Sequence, residues 1–320
     1  MDERNLLSNK LMELESSLTK PIFLLQNNEF PFYDTSSSNN VFNSISLINI
    51  KSISDFEKTE PSKPPKLRIF LESAEVLLCQ IETAKSLFSR TLLPHIDSVE
   101  VSVNTMVRTA LRESISGIYT IIDPQAVNNK NLVEVAKSAI NGGVRIIQYR
   151  DKVNDRSVFL ENAQSIQEIC DEAEVPFVVN DAADIANLVG SPFLHVGQSD
   201  LPVKSASTIL GRARGIGRSN NGPIEASESE YSGVDYLAIG AVYATSTMGK
   251  SSRTPVGPEV VERLVQSTEL PVVAIGGIGA ENLDEVRRTG VQSVCIVSAI
   301  TMAESPERSA RSLVDAWNSG

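Results

Sequence analysis

Side chains able to do chemistry recur at one kind of position in this 320-residue sequence, directly after short apolar runs. They include carboxylates suited to a hard cation, cationic groups suited to phosphate oxygens, and glycine-rich turns that can present backbone N–H groups. In chain order the positions are Asp123; Gln148 to Lys152; Asn180 and Asp181; His195 to Asp200; Ser219; Thr245 to Thr247; Gly276 to Ile278; and Val297 to Ala299.

Asp181 and Asp200 are the candidate metal ligands. Each alone is better explained as a helix N-cap, because Asp is a preferred cap and both precede helical patterns. As a pair after successive apolar runs they suit Mg²⁺, which commonly takes one or two carboxylates together with waters and substrate phosphate oxygens. Asn180 is either a turn former or a donor to a substrate, and we favour the substrate.

Arg150 and Lys152 are the candidate phosphate ligands. Either could be an ordinary solvated charge, but they stand two residues apart after an apolar run, so their side chains can project the same way. An arginine fork grips phosphate oxygens through two hydrogen bonds. We therefore expect both cations to face an anionic substrate.

Eight apolar runs within residues 117–320 are separated by amphipathic stretches with helical spacing. Strands that are apolar on both faces indicate a buried parallel sheet. A length of about 25 residues per strand–helix unit is near the compact limit of a (β/α)8 barrel. Polar or glycine-rich residues follow every apolar run, which favours a barrel, with eight strand ends around one mouth, over a doubly wound open sheet. The runs are 118–122, 144–148, 177–180, 193–196, 215–218, 236–240, 272–275 and 294–297.

Residues 1–116 are predicted to lie outside the barrel, as a small and mostly helical accessory region. Leucines between Leu6 and Leu18 have helical spacing, and residues 26–66 are rich in Ser, Asn and Pro, which is typical of a linker. Two further helices are expected, from about Leu67 to Leu93 and from about Asp97 to Ser114, separated by Pro94. We expect this region to serve in oligomerisation or docking, so the sequence leaves open whether the protein forms a homo-oligomer.

The composition excludes several classes of protein. With 29 Lys and Arg against 40 Asp and Glu, the net charge is −11, which disfavours nucleic acid and anionic membranes as partners. No segment is apolar enough to span a membrane, and the first 20 residues do not read as a signal peptide. Three widely spaced cysteines suggest neither disulfides nor a metal finger, so we expect a cytoplasmic protein.

The ordered series of motifs resembles the thiamine-phosphate synthase family over residues 117–320. The matching segments are Tyr119 to Asp123, Gln148 to Lys152, Val179 to Asp181, His195 to Asp200, Thr245 to Thr247, and Ile275 to Ile278. The resemblance implies a (β/α)8 barrel that uses Mg²⁺ to join a hydroxymethylpyrimidine diphosphate to a thiazole phosphate, with release of pyrophosphate.

The resemblance also implies a role for each matching residue. Gln148 addresses the pyrimidine, Thr245 and Thr247 contact the thiazole, and the turns after strands 7 and 8 hold the thiazole phosphate. The implied metal ligands are Asp181 and Asp200. The implied catalytic residues are Arg150, Lys152, Ser219 and Lys250. The implied substrate-binding residues are Gln148, Tyr149, Arg150, Asp151, Lys152, Asn180, Ser219, Thr245, Ser246, Thr247, Gly277, Val297 and Ser298.

Two positions depart from the family pattern. The family places Lys directly after the second Thr of the sixth loop, where this chain has Met248 and then Lys250 two residues later. Lys250 can reach the same pyrophosphate if Gly249 lets the loop bulge; otherwise that contact is lost. Two residues after Ser219 the family usually has His, and this chain has Asn221.

The implied mechanism needs no covalent nucleophile, because the diphosphate leaves first and the thiazole nitrogen attacks the resulting pyrimidine cation. His195 is accordingly interpreted as a hydrogen-bonded core residue, and Cys170 and Cys295 as core. Two alternatives remain open: a barrel that senses thiamine intermediates without turnover, motivated by Met248, and a thiazole tautomerase on the same scaffold, which Asn221 disfavours.

Overall fold

A computed structural model describes residues 64–87, 93–245, 247 and 254–319. The predicted helix at Leu6–Leu18 and nearly all of the predicted linker lie outside these residues. Two compact units are distinguished, one formed by described residues 69–109 and the other by described residues 64–68 and 110–319.

The second unit contains a closed barrel of eight parallel strands in sequence order, in which β1 pairs with both β2 and β8. The predicted (β/α)8 fold is therefore confirmed. The strands are β1 (Gly117–Ile122), β2 (Ile146–Tyr149), β3 (Phe177–Asn180), β4 (Phe193–Val196), β5 (Gly215–Asn220), β6 (Tyr236–Gly240), β7 (Val272–Ile275) and β8 (Ser293–Cys295).

Two described helices precede β1, and at least one helix follows each of the eight strands. The described helices are α1 (Pro64–Leu87), α2 (Leu93–Ser114), α3 (Leu132–Asn141), α4 (Arg156–Ala173), α5 (Ala183–Val189), α6 (Val203–Leu210), α7 (Pro223–Tyr231), α8 (Pro258–Ser267), α9 (Leu283–Arg288), α10 (Ser298–Thr301) and α11 (Pro306–Asn318), with a 3-10 helix at Pro124–Ala126. None of these helices is both long and apolar enough to cross a membrane.

Alternation along each strand divides its side chains between two cores. In β2, Ile147 and Tyr149 belong to the apolar layer between sheet and helices, so Ile146 and Gln148 point into the barrel. The predicted runs have the right order, but the second and eighth are offset: β2 begins at Ile146 instead of Val144, and β8 ends at Cys295 instead of Val297.

Two glycines in β5 make room for aromatic rings inside the barrel. A Cβ atom at Gly215 would overlap the Phe193 ring, and one at Gly217 would overlap the Tyr236 ring. The two rings pack edge to face, with centroids 5.9 Å apart. The Gly-Ile-Gly sequence of β5 is therefore required by the close packing of this interior.

The first unit contains most of α1 and α2. Phe70, Leu71 and Leu78 of α1 and Val107 of α2 are fully buried, and Lys85 of α1 forms ion pairs with Asp97 and Glu100 of α2. The prediction that Pro94 separates the two helices is wrong. Pro94 lies in the first turn of α2, where a helix tolerates proline because the N–H groups there have no intrahelical acceptor.

The packing of Gly217 predicts a measurable loss of stability. We expect Gly217→Ala to lower the free energy of unfolding by about 1–3 kcal/mol, because the added methyl group must displace the Tyr236 ring. Urea denaturation measures this change. Gly222→Ser is the control, since a Cβ there meets nothing within 4 Å and serine is a good N-cap for α7. Equal stability of the two variants would contradict the packing argument.

Candidate active site

The candidate metal ligands stand at the ends of two adjacent strands. Asp181 follows β3 and Asp200 lies in the loop after β4, and these strands pair directly. The backbone N–H of Asp181 donates to the carbonyl of His195, at 2.8 Å, which fixes the Asp181 backbone to β4. Asp181 has φ +58°, a left-handed conformation that Asp and Asn tolerate better than most residues.

Asp200 is held by the backbone of its own loop. The N–H of Gly197 donates to Oδ2 of Asp200 at 2.8 Å, and a Cβ atom at Gly197 would lie 2.6 Å from the same oxygen. Glycine at position 197 thus lets the carboxylate approach the backbone closely. The carboxylate is thereby fixed beside Asp181.

The two carboxyl groups alter each other's proton affinity. Burial raises the pKa of Asp181, and the neighbouring Asp200 raises it further, while the Lys152 ammonium lowers it; the net direction is upward. Burial also acts to raise the pKa of Asp200, but hydrogen bonds from Asp181 and Gly197, with the charge of Lys152, hold it below its usual range. The negative charge of this pair is only partly compensated by protein groups.

The donor set at Asp181 and Asp200 suits Mg²⁺. Two adjacent carboxylates supply the protein ligands that Mg²⁺ commonly uses, and a divalent cation would offset the burial and the neighbouring carboxyl group that raise the pKa of Asp181. Across the described ranges, no cluster of three or more His, Cys, Asp or Glu residues could hold a metal. A cation at Asp181 and Asp200 therefore needs oxygen ligands from water or substrate.

The two candidate phosphate cations point in different directions. Arg150 pairs through Nη1 with the fully buried carboxylate of Asp123, at the end of β1, whereas Lys152 pairs with Asp181, after β3. The side chains thus flank the strand ends instead of projecting together. Since a guanidinium has five N–H donors, the contact through Nη1 leaves other donors of Arg150 for an anion.

Three other residues of the segment 148–152 were predicted to bind substrate, Gln148, Tyr149 and Asp151, and each lies in a different environment. Gln148 points into the barrel, is 2% exposed and donates through Nε2 to the Tyr119 hydroxyl at 2.8 Å. The Tyr149 side chain points the other way, against Phe159, so the structure does not bring it to the mouth. Its hydroxyl donates to Asp151 at 2.6 Å.

Asp151 organises the loop after β2. Its carboxylate accepts hydrogen bonds from the backbone of Val153 and Asn154 and from the Tyr149 hydroxyl. Burial acts to raise the pKa of Asp151, but these hydrogen bonds outweigh it and hold the pKa below its usual range. Asn180, at the end of β3, is 7% exposed and lies opposite His195.

Ser219 is coupled to the core histidine. His195 is 8% exposed, and its Nε2 lies 2.9 Å from the Ser219 Oγ while its Nδ1 lies 2.9 Å from the Tyr236 hydroxyl. Both ring nitrogens therefore have hydrogen-bond partners, as expected for a packed core histidine.

A polar cavity of about 500 Å³ opens at the ends of β5 to β8. It brings together Ser219, Thr245, Thr247, Gly277, Val297 and Ser298 from the predicted set. The Thr247 hydroxyl lies 3.4 Å from that of Ser298, and the Thr247 N–H donates to Oγ1 of Thr245 at 3.2 Å.

Gly276 and Gly277 are needed where the loop after β6 crosses the end of β7. Their φ angles are +105° and +66°, and a Cβ would lie 2.6 Å from Ala241 at the first and 2.7 Å from the Ala244 carbonyl oxygen at the second. The backbones meet there through a hydrogen bond from Tyr243 N–H to the Gly276 carbonyl. Only glycine fits both the backbone angles and the space.

Three positions singled out from the sequence, Ser246, Met248 and Lys250, lie outside the described residues. The structure therefore does not place the proposed catalytic lysine.

Sequence reasoning assigned no role to several residues that the structure brings to the site. Asp123 holds Arg150, and Glu281 and Cys295 line the polar cavity. The signal for Asp123 was its position directly after an apolar run. The hydroxyls of Tyr119 and Tyr236 lie 3.3 Å apart. Both residues could have been found from the sequence as hydroxyl-bearing side chains at inward positions of apolar strands.

A family model described as thiamine monophosphate synthase matches residues 118–300. This chain belongs to the thiamine monophosphate synthase family. The membership confirms the resemblance seen in the sequence, and the match begins at the second residue of β1 and ends within α10.

Similar proteins support the assignment of this chain to the family. A thiamine-phosphate synthase from Ruminiclostridium cellulolyticum is 36% identical over 198 residues, which cover 62% of this chain and 93% of that protein. One from Synechococcus is 39% identical over 196 residues, but this chain covers only 55% of it. A solved thiamine phosphate pyrophosphorylase from Pyrococcus furiosus has 30% identity and a TM-score of 0.58, covering 65% of this chain and 98% of that one.

The electrostatics of the carboxylate pair predict an unusual stability change in this synthase-family chain. Without divalent metal at pH 8, we expect Asp181→Asn to raise Tm, because Asn keeps the left-handed backbone and removes a disfavoured charge. Because the pKa of Asp181 is higher in the folded protein than in the unfolded chain, protonation of Asp181 contributes to the stability of the folded state. This contribution is fully present below the unfolded pKa and is lost as pH rises through the folded pKa. The advantage of Asn should therefore shrink at acidic pH.

Asp184→Asn is the matched control. The hydrogen bond from Arg156 holds the pKa of Asp184 below its usual range, so its ionised form is favoured and the control should not gain stability. Scanning calorimetry at pH 8 and pH 5 measures both variants. A lower Tm for Asp181→Asn than for the parent at pH 8 would contradict this view of the pair.

Proposed function

We propose that this chain is a thiamine-phosphate synthase, a transferase that condenses 4-amino-5-hydroxymethyl-2-methylpyrimidine diphosphate with thiazole phosphate and releases pyrophosphate. The observation that carries the proposal is the placement of two anion-binding arrangements around one mouth. The carboxylate pair with Arg150 and Lys152 lies at the ends of β2 to β4, and the polar cavity lies at the ends of β5 to β8.

The diphosphate binds at the first arrangement. Asp181 and Asp200 would hold Mg²⁺, which would supply charge neutralisation at the departing pyrophosphate oxygens. Lys152, which pairs with Asp181, would bind a phosphate oxygen of the diphosphate. Arg150 donates to the diphosphate through its remaining N–H groups, while the ion pair with Asp123 keeps the guanidinium in position.

The pyrimidine lies inside the mouth between the two arrangements. Gln148, Asn180 and Ser219 are the polar side chains that reach this region from β2, β3 and β5. They orient the ring so that the bond to the diphosphate points toward Arg150 and Lys152.

The thiazole phosphate binds in the polar cavity. The hydroxyls of Thr247 and Ser298 and the backbone at Gly277 and Val297 bind the phosphate, while Thr245 lies along the thiazole. A cavity of about 500 Å³ is within the usual size of a small-molecule site.

Bond breaking precedes bond making. The carbon–oxygen bond to the diphosphate breaks, pyrophosphate takes the electron pair, and the thiazole nitrogen then attacks the pyrimidine cation. The residues that assist are cations and donors that stabilise charge on the leaving group. Cys170 and Cys295 are both buried, and neither acts as a nucleophile.

The sequence has Lys250 two residues after Met248, where the family has lysine, and we propose that Lys250 takes over the contact of that lysine with the pyrophosphate. The substrates are small phosphorylated molecules and the partners include neither nucleic acid nor membrane, in keeping with the net charge of −11. We place the enzyme in the cytoplasm.

A coupled assay for pyrophosphate and thiamine phosphate tests the activity. We expect turnover with Mg²⁺ and its loss on chelation, and we expect Asp181→Asn and Asp200→Asn to lower kcat/KM at least about 100-fold, because each removes a metal ligand. Asp184→Asn, in the first turn of α5, is the control and should retain activity.

The same assay separates the alternatives. Tight binding of both substrates without pyrophosphate release by the parent protein would indicate a sensor. Isomerisation of a thiazole carboxylate phosphate, unaffected by Asp181→Asn, would indicate a tautomerase. Either result would overturn the proposal.

The assignment of the polar cavity predicts a selective effect on one substrate. We expect Ser298→Ala to raise KM for thiazole phosphate about tenfold, since a hydrogen bond to a charged group contributes roughly 1.5–3 kcal/mol. KM for the pyrimidine diphosphate should not change. Ser232→Ala, at the C-terminal end of α7, is the control. An equal rise in both KM values would contradict the assignment.

A further inference from the structure

A chain of five polar side chains crosses the interior of the barrel beneath the mouth. Gln148 Nε2 donates to the Tyr119 hydroxyl at 2.8 Å, which lies 3.3 Å from the Tyr236 hydroxyl. The Tyr236 hydroxyl lies 2.9 Å from Nδ1 of His195, whose Nε2 lies 2.9 Å from the Ser219 Oγ. Three of the five side chains, those of Tyr119, Tyr236 and His195, carried no role in the proposed function.

The one hydrogen bond of this chain with a defined donor, from Gln148 to Tyr119, allows a direction to be assigned to the rest. A Tyr119 hydroxyl that accepts from Gln148 keeps its own proton and can donate it to Tyr236, and Tyr236 can then donate to Nδ1 of His195. Nδ1 is then an acceptor, so the proton of the neutral imidazole is on Nε2 and is donated to Ser219. The Ser219 proton is left to be donated into the polar cavity that Ser219 lines.

The surroundings keep the chain in this state. Tyr119 and Tyr236 are 2% and 0% exposed, and burial raises the pKa of both phenols, so they remain neutral donors. The Tyr236 ring is fixed in the space left by Gly217 and stacks on His195 with centroids 5.7 Å apart. Aligned hydrogen bonds in such a low-dielectric interior polarise one another.

We propose that Tyr236 and His195 are positioning residues that hold the Ser219 hydroxyl as a donor toward the substrate. The ligand atom facing Ser219 is therefore an acceptor, such as a ring nitrogen of the pyrimidine. The inference rests on the proposed function where it takes Ser219 as a substrate contact. The direction of the chain does not depend on that function.

The imidazole tautomer is the direct readout. The sequence has two histidines, so a His95→Gln background leaves His195 as the single source of imidazole signals in long-range ¹H–¹⁵N spectra. We expect a single Nε2–H tautomer in this background and a mixture of tautomers when Tyr236→Phe is added, because Nδ1 loses its donor. A Nδ1–H tautomer before the Tyr236 change, or no response to that change, would overturn the proposal.

Kinetics provide the second readout. Tyr236→Phe keeps the ring that packs on Phe193 and His195, and we expect it to lower kcat/KM for the pyrimidine diphosphate about tenfold. KM for thiazole phosphate should not change. Tyr231→Phe, at a side chain 96% exposed, is the control and should behave as the parent. An unchanged kcat/KM in a folded Tyr236→Phe protein would overturn the positioning role.

Two further measurements keep the test decisive. If Tyr236→Phe fails to fold, Tyr119→Phe breaks the chain one step earlier and should also produce mixed tautomers of His195; a single unchanged tautomer would count against the proposal. If the parent protein shows no turnover, the proposed function fails, but the tautomer experiment still decides the direction of the chain.

Discussion

The close approach of two partly buried carboxyl groups, those of Asp181 and Asp200, is the constraint on which the rest of the site depends. The fold places two acids side by side at the ends of paired strands, one in a left-handed conformation and the other against the N–H of Gly197. Burial and this proximity raise the pKa of Asp181, and Lys152 compensates it only in part. An arrangement that opposes folding in this way is expected where a protein must bind a cation.

The interior of the barrel links the end of the mouth that carries this carboxyl pair to the polar cavity. Glycines in β5 admit the rings of Phe193 and Tyr236. The Tyr236 hydroxyl is part of the hydrogen-bond chain that joins Gln148 of β2 to Ser219 of β5. A packed barrel core is normally filled by branched aliphatic side chains. Here part of that core is polar, fully hydrogen-bonded and directed at the candidate substrate contact Ser219.

Sequence patterns predicted the barrel and its polar strand ends because both depend on short-range periodicity and strand order. Alternation alone could not reveal that Arg150 turns toward Asp123 while Lys152 turns toward Asp181, because the path of the loop after β2 is set by hydrogen bonds to Asp151. Tyr149 matched a family motif by sequence, yet its side chain lies in the outer layer. The sequence predicts a helix break at Pro94 because proline disrupts the interior of a helix, but proline is tolerated in the first turn, which is where the structure has it.

A crystal structure with Mn²⁺ and pyrophosphate would test the central claim most directly, because anomalous scattering locates the cation without ambiguity. The account predicts one Mn²⁺ peak ligated by Asp181 and Asp200 and by pyrophosphate oxygens, with Lys152 moved from Asp181 to the pyrophosphate. A cation bound elsewhere, or pyrophosphate in the polar cavity with Lys152 still paired to Asp181, would contradict it.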